Sequence, residues 1–157
     1  MNLNTEIQER LQLAEKVCKK NNARLTHKRR KVLKLLLQTE KAISAYELID
    51  LYKKQYDEVL MPMTAYRTLE FLEGMHLSHR LNIANKYIGC AHIGCTSTHE
   101  LPHFLICDKC LRVEELSYKS ACNSSELVNK AKQNGYQLSS PQIELSGVCS
   151  KCRCDTK

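Results

Sequence analysis

Two Cys-x-x-Cys pairs, Cys107-Asp108-Lys109-Cys110 and Cys149-Ser150-Lys151-Cys152, constrain this chain more than any other feature of it. Each spacing lets a tight knuckle turn both sulfurs toward one point, and two pairs supply the four sulfurs of a tetrahedral structural zinc site. Nine cysteines in 157 residues could also make a secreted disulfide scaffold. Against that, no apolar signal segment opens the chain; Met1-Asn2-Leu3-Asn4-Thr5-Glu6 is polar. No apolar run approaches the roughly 20 residues needed to cross a membrane. The expectation is a cytoplasmic protein with reduced thiols, in which paired cysteines mean metal. A thiol redox protein is the rival use of Cys-x-x-Cys, but a redox pair sits where a strand meets a helix start in a βαβ setting. Both pairs here lie in or beside strand-like segments.

The residues around the knuckles read as a small α+β unit. Residues 104–106 and 113–116 are strand-like, and 125–134 is a helix ended by Gly135. Residues 142–148 alternate Ile143 and Leu145 inward against Glu144 and Ser146 outward, a half-buried strand entering the second knuckle. A unit of about 50 residues has little core, so metal binding supplies much of its folding free energy. Its remaining sheet face or edge is buried most easily against a second copy, giving a homodimer.

The first half has the pattern of a winged helix-turn-helix. Ile7, Leu11, Ala14 and Cys18 recur at helical spacing, which places Cys18 in core packing rather than chemistry. Thr26 caps a second helix carrying Val32, Leu33, Leu36 and Leu37. Ser44 and Glu47 form a capping box for a third. A fourth follows Pro62, with Thr64 as expected N-cap and Gly74 as stop. On its wheel Ala65, Thr68, Leu69 and Leu72 share one face, while Tyr66, Arg67 and Glu70 point the other way. A short helix with an aromatic and an arginine exposed in its first turns suits a recognition helix in a DNA major groove.

A hairpin then serves as the wing, with strands 77–83 and 86–90 and a two-residue turn at Ala84-Asn85. In that register Ile83 pairs with Lys86, and His79 stands directly opposite Cys90, with side-chain roots about 5 Å apart and able to share one ion. The formal charge of +7 agrees with a nucleic-acid partner, since basic residues cluster early at Lys16, Lys19, Lys20, Arg24, Lys28, Arg29, Arg30, Lys31 and Lys34. Between wing and knuckles, residues 90–103 hold Cys90, Cys95, His92, His99 and His103 without helix or strand pattern, a segment rich in metal donors.

These residues together resemble the ferric uptake regulator family, and within it the zinc uptake regulator branch. The landmarks are Leu25-Thr26-His27-Lys28-Arg29, Ala45-Tyr46, Thr64-Ala65-Tyr66-Arg67-Thr68-Leu69, Phe104-Leu105-Ile106 before the first knuckle, and Gly147-Val148-Cys149-Ser150-Lys151-Cys152. Asn85-Lys86-Tyr87-Ile88-Gly89-Cys90 with His79 favours the zinc branch, because a thiolate suits zinc. The resemblance implies a zinc-responsive repressor that binds palindromic operators of zinc-uptake genes as a homodimer. It also implies a protein that is not an enzyme and has no small-molecule substrate.

The implied organisation is a DNA-binding domain over 1–90, a hinge over 91–103 and a dimerisation domain over 104–157. Two zinc ions per chain are implied: a structural one on Cys107, Cys110, Cys149 and Cys152, and a regulatory one on His79, Cys90, His99 and Glu115. Tyr46 and Arg67 match DNA-contacting positions. The stretch from Cys90 to Cys107 is longer than in relatives, so His103 or Cys95 could stand in for His99, and Glu114 adjoins Glu115. Cys122 and Cys154 are taken as non-ligands. An iron- or peroxide-sensing repressor of the same family is the alternative and would favour His and carboxylate donors over Cys90.

Overall fold

The structure is a computed structural model that describes residues 3–94, 102–116, 124–139 and 142–154. The chain divides into two compact units, residues 1–94 and 95–157.

In the first unit α1 (Leu3–Lys20), α2 (His27–Gln38), α3 (Ala45–Tyr56) and α4 (Pro62–Gly74) precede a hairpin of β1 (Ser78–Leu81) and β2 (Lys86–Gly89). Ile7, Leu11, Ala14 and Cys18 of α1 are buried in one core with Leu33, Leu36, Leu48, Leu69 and Leu72. Cys18 is fully enclosed there, and burial pushes its thiol pKa up, as suits a packing residue. Thr26 caps α2 by accepting from the Arg29 N–H. Ser44 and Glu47 form both halves of the capping box that starts α3.

α4 starts differently from the sequence expectation. Its N-cap is Met61, which makes no side-chain cap bond, and Pro62 occupies the first turn, where its missing N–H costs nothing. Thr64 therefore lies inside the helix. Gly74 is its last residue, as expected, but is not the left-handed cap. His76 takes the left-handed conformation at φ 54°. Its N–H reaches the Glu73 carbonyl at 2.9 Å, and the Leu77 N–H reaches Leu72 at 2.8 Å. That is a Schellman cap with histidine where glycine is usual, closed by the buried pair Leu72 and Leu77.

The hairpin register also differs. His79 pairs with Ile88 and Leu81 with Lys86, two residues away from the expected alignment, leaving 82–85 as a four-residue loop. Asn85 supplies the left-handed residue that the loop needs, at φ 48°, and accepts from the Arg80 guanidinium at 2.9 Å. Ala-Asn cannot make the tight two-residue turn, which wants φ > 0 at both positions. A slip of two keeps every side chain on its own face. His79 and Cys90 thus become diagonal neighbours on one face instead of direct partners.

The wing is pinned to the helices. Ile43 and Tyr87 exchange backbone hydrogen bonds of 3.0 and 2.7 Å. Lys86 Nζ donates to both oxygens of Glu47 at 2.8 and 3.0 Å. That bond first, and those from Ser44 next, hold the Glu47 carboxyl down to about 2. With its side chain 50% exposed, Glu47 gains only modest stability from the pair.

Gly89 sits so close to α2 that an added Cβ would lie 2.9 Å from Leu37 Cδ2 and 3.2 Å from the Leu36 carbonyl carbon and oxygen. Leu37 can move aside, but helical backbone cannot. Gly89→Ala is therefore expected to cost about 1–3 kcal/mol in urea unfolding followed by circular dichroism. Gly74→Ala, with open space around it, should be neutral or slightly stabilising. Equal effects of the two would mean that the wing does not press on α2.

In the second unit β3 (His103–Cys107) is the central strand, antiparallel to β4 (Val113–Leu116) and parallel to β5 (Ile143–Gly147), in the order β4-β3-β5. α5 (Ser124–Gln133) ends at Gly135, which takes φ 81°. α6 (Ser150–Cys154) follows β5. Phe104, Ile106 and Val113 are buried. Leu105 pairs with Leu145, and both are exposed, as is Leu116. The expected inward placement of Leu145 is thus corrected. Alternation puts it on the face of Leu105, and Glu144, partnered with Phe104, takes the other.

Candidate metal centres and DNA-reading face

β3 delivers Cys107 at its last residue, and Cys110 follows in the turn before β4. Leu111 turns the chain at φ 59°, its N–H bonded to the Cys107 carbonyl at 2.9 Å. Because β5 runs parallel to β3, its exit brings Cys149 to the same end of the sheet, and α6 carries Cys152. The sulfurs of Cys107, Cys110, Cys149 and Cys152 all lie within 4.8 Å of one another.

This donor set fits zinc. A tetrahedron with Zn–S distances of about 2.3 Å has edges of about 3.8 Å, and Cys110 Sγ and Cys149 Sγ stand 3.8 Å apart. The Cys149 N–H donates to Cys107 Sγ at 3.4 Å. It and the N–H groups of Cys110 and Lys109 draw the Cys107 thiol down to about 6. Cys152 is pushed up to about 12 because its protonated form is hydrogen-bonded to the Cys110 and Cys149 sulfurs. The Cys152 thiol therefore retains a proton that a dication would displace on binding.

The structure corrects one part of the case against redox chemistry. The second pair does open a helix after a strand, since Cys149 precedes α6 directly. What separates this arrangement from a redox pair is convergence. Each pair faces the other, and four sulfurs share one centre.

On the wing, a ring nitrogen of His79 and the Cys90 sulfur lie within 4.8 Å of each other. Both residues are buried, and the His92 N–H donates to Cys90 Sγ at 3.3 Å. A nitrogen and a thiolate in a buried site are two of the four donors that a tetrahedral zinc needs. Of the other two expected ligands, Glu115 lies on β4 of the second unit, half-buried. His99 lies outside the described residues, as do Cys95 and Cys122. His103, its possible substitute, is half-buried at the start of β3, and Cys154 is exposed.

Tyr46 is 67% exposed in the first turn of α3, and Tyr66 and Arg67 are exposed on α4. The basic run that accompanies them is mostly committed inside the fold. Arg29 lies 3.5 Å over the Phe71 ring and donates to the Arg24 carbonyl. Arg30 pairs with Glu15, and Lys31 pairs with Glu58 at 2.5 Å. Lys28 is the exposed member. The sequence alone groups all four in one early basic cluster, because runs that make charge and runs that make helix–helix contacts look alike. The Arg29–Phe71 stack, which ties α2 to α4, had no signal in the chain order.

Among the described residues no helix is long and apolar enough to cross a membrane. The sequence pattern of the ferric uptake regulator family matches residues 20–146. The zinc uptake regulation protein of Escherichia coli K12 is 36% identical over 149 residues, 94% of this chain and 84% of its own. A solved zinc uptake regulator complexed with zinc and DNA superposes with a TM-score of 0.81 at 33% identity, covering 95% of this chain and 96% of that one. Holo XcZur follows at 0.77 and 33%, with 92% and 96% covered. On the matched pattern and these relatives, the chain belongs to the ferric uptake regulator family.

Proposed function

We propose that this chain is a zinc-responsive transcriptional repressor that binds palindromic operators of zinc-uptake genes as a homodimer in the cytoplasm. The observation that carries this reading is the buried His79–Cys90 pair on the wing, a nitrogen–sulfur donor set separate from the four-sulfur cluster. A repressor that only needed a structural metal would have no use for a second one. The thiolate of Cys90 favours zinc over iron, which prefers harder donors. The similar protein solved with zinc and DNA supports the same assignment.

In this reading each chain takes two zinc ions. Cys107, Cys110, Cys149 and Cys152 hold the structural one, and His79, Cys90, His99 and Glu115 hold the regulatory one. Residues 1–90 read DNA, 91–103 act as the hinge and 104–157 form the dimer. The exposed leucines Leu105, Leu116 and Leu145 are the apolar surface a second copy would cover.

Two recognition helices related by the dimer axis call for a pseudo-palindromic site. Arg67→Ala is expected to cost about 1–3 kcal/mol on such an operator, as for a bidentate base contact, and little on random duplex. Fluorescence anisotropy at fixed salt and saturating zinc checks this. Equal losses on both duplexes would make Arg67 a phosphate contact.

A further inference from the structure

α4 has two faces. Ala65, Thr68, Leu69 and Leu72 are buried. Opposite them Met63, Tyr66, Arg67 and Glu70 follow at i, i+3, i+4 and i+7, one stripe of a helix, and all four are exposed. Met63 heads the stripe with 65% of its surface open. Just before it Met61 is 62% open and Val59 is 70% open. Single exposed apolar residues are ordinary, but three in five positions leading onto one stripe form an apolar edge.

We propose that Met63 is a specificity-determining residue that packs on the C5-methyl of a thymine in the major groove, beside the base met by Arg67. The inference rests on α4 being the recognition helix. Among the features that bases expose in the major groove, the thymine methyl is the apolar one; the others donate or accept hydrogen bonds. The N-terminal part of a recognition helix is what reaches base edges, and Met63 is its second residue. The unbranched thioether side chain adapts to the shallow relief of a methyl group.

The test begins with duplexes enriched from a random pool by the zinc-loaded full-length protein. Each thymine of the enriched site is then replaced by deoxyuridine, which lacks only the methyl. Wild type is expected to lose about three- to fivefold in affinity at one thymine per half-site, the effect of one buried methyl group. Met63→Ala should lose as much on the thymine duplex and bind thymine and deoxyuridine duplexes alike. Met63→Leu should keep the discrimination. The variants should fold normally because the side chain is exposed, and circular dichroism verifies it. Wild type indifferent to every deoxyuridine, or Met63→Ala still discriminating, would overturn the proposal while leaving the repressor reading intact. Failure to enrich any duplex would overturn both.

Discussion

Cys107→Ser is expected to unfold the second unit and dissolve the dimer while residues 1–94 keep their helices. Cys107 ends the central strand and belongs to a four-sulfur cluster, and the buried apolar residues around it are few, with Phe104, Ile106 and Val113 chief among them. Structural zinc contributes about 10–16 kcal/mol of apparent binding free energy, more than the whole stability of most small domains. A serine hydroxyl does not replace a thiolate donor. Native mass spectrometry should show monomer without chelator-resistant zinc, and circular dichroism should retain the signal of α1 to α4. A dimer with one tightly held zinc would show that the cluster is not structural.

Cys90→Ala is expected to do the reverse. Structural zinc, helix content and dimer should survive, because the substitution removes one buried sulfur from the wing. Zinc-dependent operator binding should fall on the order of 10- to 100-fold, the size of an ordinary allosteric coupling. The proposed ligands are drawn from both units, and in that proposal a bound ion would restrict the freedom of one against the other. In the proposed function, His79 and Cys90 would act by binding the ion better in the DNA-competent arrangement, and that differential affinity would set how far the population shifts. A wild-type zinc response in Cys90→Ala would move the sensing site to His92, Cys95 or His103.

Much of this was legible in the chain. Regular spacing announced the helices and strands, and the cysteine pairs announced their own meeting, because parallel β3 and β5 bring both knuckles to one end of the sheet. His79 and Cys90 were correctly brought together through an incorrect register. The error of two preserved the face, so donor chemistry survived where pairing did not. Caps were read less well. Thr64 is a favourable residue type near the right place, but Pro62 opens the helix; Gly74 does end it, while the left-handed cap falls on His76. Leu145 was misplaced because alternation says which residues share a face and not which face is covered. Met63 was overlooked because a methionine beside a proline reads as core or turn until its exposure is known.

The central claim is that zinc, sensed through Cys90 and His79, controls operator binding. The most direct measurement is a DNA-binding titration across buffered free zinc, with iron and manganese as controls. The account predicts binding that rises with zinc over one transition, stays low with the other metals, and leaves the structural zinc bound throughout. Operator affinity that is independent of free zinc, or that follows iron or manganese equally well, would contradict it.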